Sequence, residues 1–293
     1  MSAPQHFDVA DFDVADFDVI DAHQHTGDIR VSMGGLADGE PELSDAEFER
    51  VELEHRLEVL DARGVGQTVI IAGHSYLRPE GLADTRRVND GVRAYLDKAP
   101  GRFPAGVGVV EPLYGAAGLG EIDRCKDLGL VGISFHGRFQ GVSHDSPWVH
   151  RYVERMSEVG LVPFVHAPAE SPEESLWKAE ILARDFPEVP MLVLDAFSGF
   201  EQCREVVPLA TRCPNLVFDT ALAFDLHFVM PLIRHCGASR VVYGSDLYSW
   251  PSGDYGEPGL RQILSSDLDH ASKVAIVGGN LRAVLGLDAS HTV

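Results

Sequence analysis

Asp21, His23 and His25 stand at alternate positions directly after the apolar run Phe17-Asp18-Val19-Ile20 and just before Gly27. Along a strand, residues i, i+2 and i+4 share one face, and each such step covers about 7 Å. The pattern predicts a buried strand over 17–20 that carries an acid and two imidazoles pointing the same way. Two rings one pleat apart can reach a single ion, and neutral imidazole is the commonest metal ligand of its kind. In a closed barrel such side chains converge on the axis. The competing reading, two surface histidines at a strand end, fits poorly with the apolar run before them. The stretch therefore reads as the first wall of a metal site.

Further residues with chemical potential follow apolar runs in the same way. Glu111 ends a strand over 104–110, and His136 ends Val131-Gly132-Ile133-Ser134-Phe135. His166 ends Leu161-Val162-Pro163-Phe164-Val165, and Asp195 ends Met191-Leu192-Val193-Leu194. Asp219 ends Leu216-Val217-Phe218, and Asp246 closes Arg240-Val241-Val242-Tyr243-Gly244-Ser245. His74 lies just beyond a strand over 67–72.

Helix-length segments separate these strands. Ser44-Asp45-Ala46-Glu47 is a capping box opening a helix that ends near Gly64. Others are predicted over 84–98, 116–128, 147–159, 173–185, 200–211 and 225–236, with 258–267 and 271–286 closing the chain. Strands apolar along their whole length belong in a parallel sheet covered by helices. Eight strand–helix units point to a (β/α)₈ TIM barrel. An open doubly wound sheet should carry a Gly-rich phosphate turn after an early strand, and the sequence has none.

Length and composition fit one such domain: 293 residues with 45% hydrophobic content. A net charge of −21 argues against nucleic acid or an anionic membrane as partner. Cys125, Cys203, Cys213 and Cys236 are scattered, as expected of reduced thiols. No run is long enough to span a bilayer and no secretion signal is evident, so a cytoplasmic location is expected. Residues 7–21 hold three copies of a five-residue repeat, Phe-Asp-Val-Ala-Asp twice and then Phe-Asp-Val-Ile-Asp. A period of five flips the pleat at each copy, so only the third copy is expected to form the strand. The expected organisation is a tail over 1–16, a barrel over 17–287 and a tail over 288–293.

The two histidines of the first strand, Pro163-Phe164-Val165-His166, Gly244-Ser245-Asp246 and the closing Gly279-Asn280-Leu281-Arg282-Ala283-Val284-Leu285-Gly286-Leu287 together resemble the amidohydrolase superfamily. Within it they are most similar to the aminocarboxymuconate-semialdehyde decarboxylase-like branch, "amidohydrolase 2". The resemblance implies one divalent ion, usually zinc, held by His23, His25, His166 and Asp246. Three imidazoles and a carboxylate suit zinc, with manganese or iron as alternatives. It also suggests a homodimer.

One position departs from the family pattern. Where its sixth strand ends in an acid/base histidine before a glycine turn, this chain has Asp195-Ala196-Phe197-Ser198-Gly199. Asp195 could move protons if a dry pocket raises its pKa. It could instead accept a hydrogen bond from a ligand histidine, or cap the next helix. His136 is a second candidate acid/base, or a substrate or metal contact. Arg138 offers a fork to an anionic substrate, against the plainer reading of a solvated arginine. Tyr248 and Trp250 replace the family's aromatic-proline pair and could stack on substrate or pack beneath the last loop. His74, Glu111 and Asp219 could line the mouth or fix loops. His144 and His150 are expected on the surface. Specificity is expected in the loops 27–43, 137–146 and 248–256.

The leading expectation is a metal-dependent hydrolase acting on a small amide, ester or lactone, with Asp246 as ligand and proton acceptor and Asp195 or His136 returning the proton. The alternative is a metal-dependent non-oxidative decarboxylase of a small unsaturated or aromatic acid. A barrel that binds metal or ligand without catalysis is the third reading. It is disfavoured because a buried polar cluster is costly to keep.

Overall fold

The computed structural model describes residues 14–27, 43–73, 78–248 and 259–288. Strands β1 (Ile20–His25), β2 (Gln67–Ile71), β3 (Ala105–Val109), β4 (Gly132–Phe135), β5 (Val162–His166), β6 (Met191–Leu194) and β7 (Leu216–Asp219) pair in chain order, all parallel. The expected eighth strand over 240–246 is broken into β8 (Val241–Val242) and β9 (Leu247–Tyr248). β8 pairs with β7 and β9 pairs with β1. Between them the Ala22 amide donates to Tyr243 O at 2.9 Å. One short segment thus touches both ends of the sheet and closes it into the predicted barrel.

Helices cover the outside: α1 (Asp45–Arg63), α2 (Leu82–Leu96), α3 (Ala116–Asp127), a single turn α4 (Gly137–Gln140), α5 (Pro147–Val159), α6 (Leu176–Asp185), α7 (Phe200–Arg212) and α8 (Met230–Cys236). The capping box at α1 forms as predicted, with Ser44 accepting from the Glu47 amide and Glu47 reaching back to the Ser44 amide. The closing helix over 271–286 is instead three pieces, α9 (Gly259–Ser265) being followed by α10 (His270–Val274), a π-helical turn Ala275–Gly279 and α11 (Asn280–Leu285). The π turn lies under the barrel, where its Ile276 carbonyl accepts the Tyr243 amide.

The apolar residues split into two cores. One fills the layer between sheet and helices. The other fills the barrel and includes Ile20, Ala22, Val69, Ile71, Phe164 and Leu192, plugged by Leu281 of α11 with Val284, Leu285 and Leu287 around it. The end of the barrel away from the strand C-termini is therefore sealed, which leaves chemistry to the other face.

Packing begins before residue 17. Val14–Asp16 form a 3₁₀ turn, and Val14 packs on the outer core beside Gly64. The first copy of the repeat, His74, Trp250 and most of the loops 27–43 and 248–256 lie outside the described residues. Among the described residues, no helix is long and apolar enough to cross a membrane.

Candidate metal centre

The strand carrying the two histidines is β1 itself, Ile20–His25, rather than a run ending at Ile20. Its register on β2 shifts between Asp21 and Gln24: Asp21 pairs with Thr68, but Gln24 pairs with Ile70. The extra residue reverses the pleat. Ile20 and Ala22 face the barrel core before the bulge, and His23 and His25 face the mouth after it. Asp21 does not share their face, contrary to the strict alternation expected. It turns the other way, accepting from the Gln24 side chain at 2.8 Å and from the Ser245 hydroxyl at 2.6 Å.

His23, His25 and His166 are fully buried, and each offers a ring nitrogen within 4.8 Å of the other two. Their hydrogen bonds set the tautomers. His23 Nδ1–H donates to Asp219 Oδ2 at 2.7 Å, His25 Nδ1–H to Ala72 O at 3.0 Å and His166 Nδ1–H to Phe135 O at 3.1 Å. Each Nε2 is then the nitrogen that carries a lone pair. His23 Nε2 and His25 Nε2 lie 2.9 Å apart, a repulsive arrangement unless a positive charge sits between them.

Asp246 supplies a carboxylate at the same point. Its Oδ1 is 3.4 Å from both His23 Nε2 and His25 Nε2 and accepts no hydrogen bond. Ligand atoms about 2.0–2.1 Å from one tetrahedral ion lie about 3.4 Å apart, so this donor set fits a divalent ion. Without a metal, the charge falls on His23. Burial opposes protonation of its ring, yet Asp195, Asp246 and Asp219 together raise it to about 10. His25, desolvated and beside that charge, is pushed well down. Burial raises Asp246 to about 6.

Local backbone serves this geometry. Asp195 and Asp246 both adopt left-handed φ, 63° and 54°, a region that non-glycine residues enter rarely and often at functional sites. At Gly244 a Cβ would stand 2.9 Å from Asp219 Oδ2 and 3.1 Å from His23 Cβ, so only glycine lets the last strand approach this closely.

Asp195 is buried, with Oδ1 3.8 Å from His23 Nδ1 and no hydrogen-bond partner for that oxygen. The histidine-orienting role weighed for it belongs by geometry to Asp219, which also accepts the Asp195 amide. Nor does it cap α7, whose N-cap is Gly199 without a side-chain bond. Burial and the nearby Asp246 carboxylate raise the Asp195 carboxyl well above the usual range.

His136 stacks on His166 at 4.3 Å between ring centroids, and its Nδ1 meets Glu174. Glu174 had no sequence signal, since it sits in a 3₁₀ turn after β5 rather than at a strand end. Tyr248 stacks on His25 at 4.8 Å, so it packs against a candidate ligand. Arg138 pairs with Glu170 at 2.9 Å on the surface side of α4. His144, expected outside, is fully buried and donates to His166 O at 2.7 Å. His150 is half-buried against Asp185. Glu111 is buried 3.5 Å from Arg78.

Comparison with known proteins agrees with this architecture. No curated protein matches the sequence significantly. Among solved structures, 5-carboxyvanillate decarboxylase from Sphingomonas paucimobilis is similar with a TM-score of 0.71 at 17% identity, over 93% of this chain and 100% of its own. The 4-oxalomesaconate hydratase from Rhodopseudomonas palustris has a TM-score of 0.69 at 18% identity, over 92% and 95%. The 5-carboxyvanillate decarboxylase from Novosphingobium aromaticivorans, solved with manganese and 4-hydroxy-3-methoxy-5-nitrobenzoic acid, has 0.69 at 17%, over 93% and 97%. At such identities the likeness establishes the fold. The family match reaches further: over residues 20–287 the sequence fits the amidohydrolase 2 family, and the chain belongs to it.

Proposed function

We propose that this chain is a metal-dependent lyase that decarboxylates a small unsaturated or aromatic acid. His23, His25, His166 and Asp246 would hold one divalent ion, with manganese placed beside zinc because similar folds were solved with manganese. Such an ion supplies a Lewis acid that draws charge onto a substrate oxygen. The other supporting context is that the similar folds include decarboxylases and a hydratase.

The observation that carries the reading is Asp195. Its unbonded Oδ1 sits in a buried position beside the imidazole cluster, in the segment where the family pattern has a histidine, which falls on Ala196 when aligned on Gly199 and on Asp195 when shifted one place. Its dry setting favours the protonated carboxyl, from which a proton can be delivered to carbon. In that step the bond from substrate carbon to carboxylate breaks, the electron pair stays on carbon, and the carbon takes the Asp195 proton as CO₂ leaves. Asp195 then regains a proton from solvent. His136, oriented by Glu174, is the second group able to hold a proton there. Arg138, Trp250 and His74 remain the proposed substrate-facing residues, while Tyr248, stacked on His25, is proposed to hold that ring in place. The catalytic unit is the barrel over 17–287, working as a homodimer in the cytoplasm.

Hydrolysis is the second reading. Asp246 favours it, since one carboxylate oxygen equidistant from two candidate ligands is also placed to accept a proton from water. The test is a panel of hydroxybenzoates and unsaturated dicarboxylates beside amides, esters and lactones, with purified Mn²⁺- or Zn²⁺-loaded protein. CO₂ release with one solvent deuteron incorporated at the vacated carbon is expected. Turnover confined to the amides, esters or lactones would replace this reading with hydrolysis.

A further inference from the structure

Behind β1, on the side away from the imidazoles, lies a buried polar chain that the chemistry above does not use. Arg56 of α1 is fully buried. Its guanidinium donates to the His25 carbonyl and, at 2.7 Å, to Gln24 Oε1. Glu52 and Tyr95 hold it from the other side: Arg56 Nε donates to both, and Tyr95 OH donates to Glu52 Oε2 at 2.7 Å.

The chain continues through Gln24, whose Nε2 donates to Asp21 Oδ2 at 2.8 Å. Asp21, also fully buried, takes the His23 amide at 3.0 Å and the Ser245 amide at 3.1 Å on Oδ1, and the Ser245 hydroxyl at 2.6 Å on Oδ2. The network is therefore anchored at three points next to a candidate ligand: the His25 carbonyl, the His23 amide, and Ser245, which precedes Asp246. A bulged strand has lost part of its ladder, and these side chains bond to the strand through the bulge.

We infer that Arg56, Gln24 and Asp21 are positioning residues for the metal centre, fixing the spacing between the His23–His25 pair and Asp246. The inference rests on the metal reading above. A charged group buried this completely is costly unless every partner is in place, so the network has one low-energy geometry and holds β1 and the 243–246 segment in it. Partners lying behind the ligands of a metal commonly change its affinity by about 10–100-fold when altered.

The test measures Mn²⁺ dissociation constants by competition with a fluorescent chelator, and melting temperature with and without Mn²⁺, for the full chain. Gln24→Met keeps side-chain length but cuts the link between Arg56 and Asp21. Arg56→Lys keeps the charge and loses the fork. Asn280→Ala, which removes bonds to the Ala238 and Val241 carbonyls at the far end of the barrel, is the control for simple destabilisation.

Both network variants are expected to bind Mn²⁺ about 10–100-fold more weakly, with a smaller rise in melting temperature on adding metal. The control should melt lower yet bind Mn²⁺ as wild type does. If Arg56→Lys does not fold, Gln24→Met decides. Wild-type affinity in the network variants would overturn the positioning role while leaving the metal reading intact. Failure of the wild-type protein to bind either Mn²⁺ or Zn²⁺ would remove the metal reading, and this inference with it.

Discussion

The two ends of this barrel are built on opposite principles. At the sealed end, Leu281, Val284, Leu285 and Leu287 meet the apolar barrel core, and the polar side chains nearby are bonded, Asn280 to two carbonyls and Arg282 to Asp18 and Gln67. At the open end, fully buried imidazoles face one another, carboxylate oxygens of Asp195 and Asp246 lack hydrogen bonds, and two aspartates hold left-handed backbone. The sealed end is dominated by apolar packing and bonded polar groups, and the open end by buried groups that a ligand could satisfy. The outer core connects the two through the same strands, so a strand such as β5 or β7 begins apolar and ends in His166 or Asp219.

Changes at the two ends should separate cleanly. The largest effect is expected for His23→Ala or Asp246→Ala, which remove a proposed ligand. Elemental analysis should show metal falling from about one ion per chain to a small fraction, with turnover lost alongside. Full retention of metal in both would refute the assignment.

Asp195→Asn and Asp219→Asn come next, because they divide two roles that the sequence left on one residue. Asp195→Asn should keep its metal and lose about 10²–10⁴-fold in turnover, the usual span for a positioned proton donor. Asp219→Asn should weaken metal binding by about 10–100-fold, with much of the turnover restored by added metal. The reverse assignment of effects would exchange the two roles.

At the sealed end, Leu281→Ala should cost about 2–5 kcal/mol of stability, read by denaturant unfolding, while metal affinity stays at the wild-type value. A loss of affinity there would mean that the two ends are coupled. The smallest effect belongs to Arg138→Ala. Breaking a surface pair with Glu170 should change stability by less than about 1 kcal/mol, but raise KM for an anionic substrate without lowering kcat. An unchanged KM would leave Arg138 as a solvated arginine.

The contrast also explains what could be read from the sequence. Apolar runs of four or five residues ending in His136, His166, Asp195 or Asp219 carry the strand and its reactive end in one pattern, so the barrel and most of the mouth residues were legible. Alternation also placed His23 and His25 together correctly, but it failed at Asp21. One inserted residue reverses the pleat, and nothing in Asp-Ala-His-Gln-His marks a bulge. The eighth strand is shorter than the apolar run Val241-Val242-Tyr243 suggests because the Tyr243 amide bonds the Ile276 carbonyl instead of a neighbouring strand. Glu174 and the burial of His144 depend on how loops fold back over β5, which has no periodicity to read. The sequence pattern puts hydrolysis first and the proposal is decarboxylation, because the proposed ligands alone do not separate the two reactions.

The closure of the sheet has a consequence for how the protein assembles. Asp21 and Ser245, which meet across the seam, are 224 positions apart in the chain. Contacts of such long sequence separation form late and slowly, because the loop they close must be ordered first. The histidine pair comes from the first strand and Asp246 from the segment between the last two, so the proposed ligand set cannot be complete in a half-folded chain. Metal captured there would act as a latch set after the barrel has closed, slowing its reopening while leaving the early steps of folding to the apolar strands.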